Sequence, residues 1–148
     1  MTKTVLEHPV HQKKILFLCT HNSCRSQMAE GLANHLLGGE VEAHSAGTEA
    51  TRVNPLAIKV LAEIGIDLSG HRSKTLEEFD GVSFDYVVTL CGDANDKCPL
   101  YVGGTQRSHH GFDDPSRCVG TEEEVLPQFR RVRDEIKAWI LEYFGGGK

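Results

Sequence analysis

The stretch Lys14-Ile15-Leu16-Phe17-Leu18-Cys19-Thr20-His21-Asn22-Ser23-Cys24-Arg25-Ser26 decides the fold. Its first part, Lys14 to Leu18, is a short apolar block that reads as a central strand of a parallel sheet. A polar loop follows. After Ser26, the apolar residues Met28, Ala29, Leu32, Ala33 and Leu36 fall at helical spacing, and Gly38-Gly39 stops the pattern. In open parallel sheets the ligand sits beyond the carboxyl ends of the strands, at a switch in strand order. The loop from Cys19 to Ser26 is therefore the first place to look for chemistry.

Working outward, Val41 to His44 is a candidate second strand, ended by Ser45-Ala46-Gly47. Asn54-Pro55 reads as an N-cap followed by an N1 proline. Leu56, Ala57, Val60, Leu61 and Ile64 form one helical face, and Gly65 suits the C′ position. A capping-box pattern at Thr75 and Glu78 predicts a short helix to Phe79. Phe84 to Leu90 is strongly strand-like, and Gln106 to Phe112 is a weaker strand. Thr121 and Glu124 form a second capping box ahead of a stripe of Phe129, Val132, Ile136, Trp139, Ile140 and Tyr143. Trp139 on that stripe reads as a core residue. Pro127 predicts a kink, or a main helix that begins near it. This alternation of strands and helices implies an α/β fold: a single-domain, open, parallel four-stranded sheet flanked by helices on both faces.

The chain has 148 residues, enough for one domain with a real core. Sixteen Lys and Arg against 21 Asp and Glu give a net charge of −5, which argues against a general nucleic-acid binder. No apolar run approaches the ~20 residues of a membrane span, and Met1 to Lys14 has no apolar segment of a secretory signal. A cytoplasmic monomer is expected. The five cysteines are Cys19, Cys24, Cys91, Cys98 and Cys118; an odd number without a signal is a poor disulfide framework. No Cys-x-x-Cys occurs, and His109 and His110 do not complete a common zinc spacing. No metal or other cofactor is expected, and catalytic or redox cysteines are the reading to test.

Each part of the first loop has a physical job if it binds a tetrahedral oxyanion. Successive backbone N–H groups of Thr20, His21, Asn22, Ser23 and Cys24 form an anion nest, and the helix N-terminus adds positive potential. Arg25 can make a bidentate fork to two oxygens. Asn22 tolerates a left-handed conformation. Cys19 sits at the focus of these donors, where a thiolate is stabilised, and Ser26 could donate to it. The side chain of Cys24 is expected to point away from the anion. A bare Cys-x5-Arg pattern is weak, but its position between a buried strand and an amphipathic helix makes it much stronger.

Cys19 to Ser26 resembles the phosphate-binding loop of the low-molecular-weight protein tyrosine phosphatases and of the arsenate reductases built on the same fold. The similarity continues through Ser26-Gln27-Met28-Ala29-Glu30-Gly31, Ser45-Ala46-Gly47, Asn54-Pro55, Val88-Thr89-Leu90-Cys91 and Cys98-Pro99. Gly111-Phe112-Asp113-Asp114-Pro115 and Phe129-Arg130-Arg131-Val132-Arg133-Asp134-Glu135-Ile136 extend it. It spans a core of about residues 14–144, with residues 1–12 and 145–148 expected to be flexible flanks of the one domain. The chain looks most like the thioredoxin-coupled arsenate reductases.

The resemblance implies a nucleophilic Cys19, an Arg25 clamp and Asp114 as general acid, with the adjacent Asp113 left open as a sharer of that role. The phosphatases typically carry aromatic residues after the Asp-Pro pair, whereas Asp114-Pro115 is followed here by Ser116-Arg117-Cys118. A polar site of this kind suits a small inorganic anion: arsenate, with phosphate or sulfate as competitors. A tyrosine phosphatase is the alternative. In the reductases two further thiols match Cys91 and Cys98. They imply a relay in which Cys91 attacks the Cys19 sulfur, Cys98 attacks Cys91, and thioredoxin reduces the result. Seven positions span about 10 Å in a regular helix, whereas a disulfide needs Cα atoms about 4.4–6.8 Å apart. The segment between Cys91 and Cys98 must then rearrange; Gly92, Asp93, Asn95 and Asp96 are poor helix formers, which makes that easy. Cys118 has no assigned role. In several relatives the position of Lys74 is an Asp that helps hold a monovalent cation with residues matching Asn22, Glu30 and Ser45. The Lys74 ammonium either takes that cation's place or points to solvent.

Overall fold

The structure, a computed structural model, describes residues 12–19, 21–79, 81–90 and 104–145. Four strands are present: β1 (Lys13–Cys19), β2 (Val41–Gly47), β3 (Phe84–Thr89) and β4 (Gly104–His109). They form one parallel sheet in the order β2-β1-β3-β4. The chain adds β2 on one side of β1 and then crosses to add β3 and β4 on the other. This places the switch in strand order between β1 and β3, at the end of β1.

β1 is apolar on both faces because both are covered. Ile15 and Phe17 join a cluster with Met28, Leu32, Val60, Phe129 and Ile136, contributed by the helices α1 (Arg25–Leu36), α2 (Pro55–Ala62) and α3 (Glu122–Phe144). Leu16, Leu18 and Cys19 join Ala46, Phe84 and Val87 on the other face, closed by Leu76 and Phe79 of a 3-10 helix and by Val82. The Phe17 ring meets Trp139 and Phe144 edge-on at 6.3 and 6.2 Å, so Trp139 packs against the core as expected. Among the described residues no helix is long and apolar enough to cross a membrane.

The capping signals of α2 and α3 are realised, whereas at Thr75 and Glu78 only the backbone bond from Glu78 N–H to the Thr75 carbonyl forms, at 3.2 Å, and the Glu78 carboxylate pairs with Arg72 instead. Asn54 Oδ1 accepts from the Leu56 N–H at 2.8 Å, with Pro55 opening α2. Gly65 has φ +84, and the Ile66 and Gly65 N–H groups donate to the carbonyls of Leu61 and Ala62, which closes α2 as a glycine stop does. Thr121 and Glu124 make a reciprocal capping box.

Several boundaries differ from the sequence reading. β2 continues through Ser45, Ala46 and Gly47, whose small buried residues pair with Phe17, Leu18 and Cys19. The weaker strand ends at His109, although Phe112 N–H still donates to the Leu90 carbonyl at 3.1 Å. The last helix starts at Glu122 and runs through Pro127 to Phe144. Pro127 lies in the second turn, where its missing N–H deprives only the carbonyl of the exposed Glu123.

Candidate active site

Cys19 ends β1 and is 2% exposed. Its Sγ lies 2.9 Å from Ser26 Oγ in the first turn of α1. Asn22 Nδ2 donates to the same hydroxyl oxygen at 2.8 Å. With that lone pair occupied, the Ser26 hydroxyl hydrogen is left to face the Cys19 sulfur. Asn22 adopts the left-handed conformation, φ 49, that the loop requires.

The loop is braced from behind and from outside. Asn22 Oδ1 accepts from the Lys74 backbone N–H at 2.9 Å and from Gln27 Nε2 at 3.0 Å. Gln27 Nε2 also donates to the Asn22 and Arg72 carbonyls. Ser73 Oγ donates to the His21 carbonyl at 2.8 Å, and Asn54 N–H to the Ser23 carbonyl at 2.9 Å.

Arg25 opens α1. Nη1 donates to the Phe112 carbonyl at 3.1 Å, and Nη2 lies 3.3 Å from Asp114 Oδ2. Its Nε is buried and has no hydrogen-bond partner among the described residues, which leaves a donor free. Asp114 comes from the loop after β4 and caps the 3-10 turn Pro115–Arg117. Asp113 faces elsewhere: its carboxylate pairs with Arg131 on α3 at 3.1 Å and is 76% exposed. The neighbouring carboxylates therefore part company, and Asp114 is the one beside Arg25.

Cys19, His21, Ser23, Cys24, Arg25, Asp114 and Ser116 line one small cavity of about 20 Å3. Burial pushes the Cys24 thiol well above the ordinary value, and the charges of Asp114 and Cys19 push it further, while Arg25 opposes them. Cys24 is thus a neutral thiol that also packs in the core. Behind the loop, Ser45 Oγ donates to Glu30 Oε1 at 2.5 Å. Lys74 turns inward with its side chain 11% exposed; Nζ donates to the Arg72 carbonyl at 3.2 Å and lies 3.8 Å from Glu30 Oε1. Lys74 reaches Asn22 through its backbone N–H. Among the described residues no cluster of three or more His, Cys, Asp or Glu could hold a metal ion.

Six of the residues named from sequence thus share one cavity, with Asn22 and Ser26 forming its rear wall of hydrogen bonds. Thr20, Cys91 and Cys98 lie outside the described residues. Sequence reasoning missed Ser116 as a lining residue, and the Phe112 carbonyl and Gln27 as supports. An Asp followed two residues later by Ser, a pattern that bonds side chain to turn, was the available signal for Ser116.

Residues 14–144 match the family of low molecular weight phosphotyrosine protein phosphatases. The chain belongs to that family. The Bacillus subtilis protein named arsenate reductase is 51% identical over 139 residues, covering 94% of this chain and 100% of that protein. A solved structure described as an arsenate reductase in the phosphate binding state superposes with a TM-score of 0.77 at 38% identity, over 91% of this chain and 98% of that one. The Corynebacterium glutamicum thioredoxin-dependent arsenate reductase gives 0.59 at 29% identity, over 90% of this chain and 63% of that one. In this member of the phosphatase family the Cys19-x5-Arg25 loop lies at the carboxyl end of β1.

Proposed function

We propose that this protein reduces arsenate to arsenite with electrons from its own thiols, restored by thioredoxin. The observation that carries the reading is the small cavity shared by Cys19, Arg25 and Asp114, lined among the described residues by no Phe, Tyr or Trp. A tetrahedral inorganic anion fits such a cavity better than an aryl ester. The name of the Bacillus subtilis relative at 51% identity supports the same choice.

Arsenate is held by the loop N–H groups and by Arg25, with phosphate and sulfate as competitors. The Cys19 thiolate attacks arsenic, and Asp114 gives a proton to the departing oxygen, which leaves as water. Cys91 then attacks the Cys19 sulfur. A Cys19–Cys91 disulfide forms, the S–As bond breaks, and its electron pair stays on arsenic, which departs as arsenite. Cys98 attacks Cys91, freeing the Cys19 thiolate and leaving a Cys91–Cys98 bridge. The thioredoxin dithiol reduces that bridge. A reducing compartment, the cytoplasm, suits this cycle.

The test is arsenite formation by the pure protein with thioredoxin, thioredoxin reductase and NADPH. One arsenite per NADPH consumed is expected. Aryl-phosphate hydrolysis without arsenite formation would instead make the protein a phosphatase.

A further inference from the structure

We propose that Ser116 is the positioning residue of the acid: its hydroxyl fixes one oxygen of Asp114 so that the other faces the anion cavity. This rests on Asp114 acting as the general acid in the reaction above.

The two carboxylate oxygens of Asp114 have different surroundings. Oδ1 accepts twice from Ser116, from the backbone N–H at 3.0 Å and from the hydroxyl at 2.6 Å. Oδ2 lies 3.3 Å from Arg25 Nη2 and 3.6 Å from Arg117 Nε. Arg117 is 83% exposed, so its hold on Oδ2 is solvated and weak. Arg25 is the cation that belongs to the cavity. Oδ2 is therefore the oxygen aimed at the place where an arsenate oxygen departs.

A carboxylate plane is poorly fixed by its own torsion, because the terminal rotation of Asp is broad and roughly two-fold. The backbone bond from Ser116 belongs to the turn and survives any change of side chain. The hydroxyl adds a second bond to the same oxygen, at the short distance of a charge-assisted O–H···O contact. Two bonds to Oδ1 set the plane, and the plane sets the reach of Oδ2. Proton transfer is sensitive to that reach, since a group displaced by about 1 Å can lose about 100-fold in rate. Ser116 itself lines the cavity, so it does this at the wall and not from a distance.

A serine that only shaped the turn would affect stability and leave turnover alone. The test uses Ser116→Ala and Ser116→Thr in the full chain, with arsenate, thioredoxin, its reductase and NADPH. Ser116→Ala should lower kcat about 10-fold, with the KM for arsenate and inhibition by phosphate changed less than about twofold, because the loop and Arg25 hold the anion. Ser116→Thr, which keeps the hydroxyl, should restore kcat to within about twofold. In an Asp114→Asn background, Ser116→Ala should have no further effect on single-turnover rate. A wild-type kcat in Ser116→Ala, or an undiminished effect in the Asp114→Asn background, would overturn the proposal. If the unmutated protein forms no arsenite, the activity reading fails separately. Crystal structures of the unmutated protein and Ser116→Ala then decide: a rotated Asp114 carboxylate supports the positioning role, and an unchanged one refutes it.

Discussion

Arg25 Nη2 and Asp114 Oδ2 face each other at 3.3 Å, with side chains only 11% and 16% exposed, and the two come from opposite ends of the chain. α1 supplies the guanidinium, and the loop after β4 supplies the carboxylate. Their meeting puts the proposed anion clamp and the proposed proton carrier in the lining of one cavity, which Cys19 enters from β1. Arg25 is also held by the Phe112 carbonyl, two residues ahead of Asp114, so the clamp and the acid loop are one mechanical unit.

Asp114→Asn should separate their roles. The amide keeps the shape and cannot supply the proton, so arsenate turnover should fall about 100-fold or more. Phosphate binding should persist, because the loop and Arg25 hold the anion. Steady-state kinetics with phosphate inhibition will check both, and Asp113→Asn, which touches only the exposed pair with Arg131, should stay near the unmutated rate.

Cys19→Ser should abolish reduction and any aryl-phosphate hydrolysis in a protein that melts normally. A serine hydroxyl is a far weaker nucleophile near neutral pH, and Ser26 can still bond to it. Substantial activity in the folded variant would sink the mechanism.

Much of this arrangement was legible in the sequence because it is local. A strand, a loop and a helix in succession place Cys19, Asn22, Arg25 and Ser26 within eight residues, and short-range geometry leaves them little freedom. Asp114 needed the resemblance, since nothing within residues 111–115 says that the β4 loop folds back on Arg25. The resemblance favoured Asp114 and left Asp113 open, and the residues alone did not decide between them. That choice depends on Arg131, 18 residues downstream on α3, which draws Asp113 outward. At Pro127 the reading of a main helix that starts near the proline does not hold: the capping box upstream and buried Val125, Leu126 and Phe129 carry one helix past it.

Cys91→Ser and Cys98→Ser should each stop thioredoxin-supported turnover, while aryl-phosphate hydrolysis, which needs only Cys19, Arg25 and Asp114, survives. Peptide mass mapping after one equivalent of arsenate should find a Cys91–Cys98 bridge in the unmutated protein and a Cys19–Cys91 bridge in Cys98→Ser. Wild-type turnover by Cys98→Ser with thioredoxin as the sole reductant would exclude the relay.

Glu63 links α2 to α3 and should contribute to acid sensitivity. Hydrogen bonds from Arg130 and then Arg133 hold its carboxyl below the ordinary 4.5, against an opposing effect of burial. Arg130 Nη2 and Arg133 Nη1 lie 2.8 and 2.9 Å from it. Because the folded value is the lower one, this stability is present above the unfolded value and disappears as pH falls through the folded value. Glu63→Gln should therefore cost about 1 kcal/mol at most near neutral pH, and less at acid pH, as urea unfolding across the pH range will measure.

Lys74 supplies the last prediction. Its ammonium lies 3.8 Å from Glu30 and donates to the Arg72 carbonyl, directly behind the anion loop. One of the two sequence alternatives, a side chain directed to solvent, does not hold: 11% exposure places the charge inside. It can serve there as a built-in cation, balancing Glu30 while Glu30 holds Ser45. The unmutated protein should then melt at the same temperature in potassium and sodium chloride of equal ionic strength. Lys74→Ala leaves Glu30 without this partner, and a potassium-specific rise in melting temperature should be uncovered. Burial lowers the proton affinity of Lys74 below the ordinary 10.5, outweighing the attraction of Glu30. The unfolded chain thus binds this proton more readily than the folded one, so stability should rise with pH from the folded value toward 10.5, and Lys74→Ala should lose that slope. A clear potassium-specific stabilisation of the unmutated protein would rule out the ammonium as the resident charge.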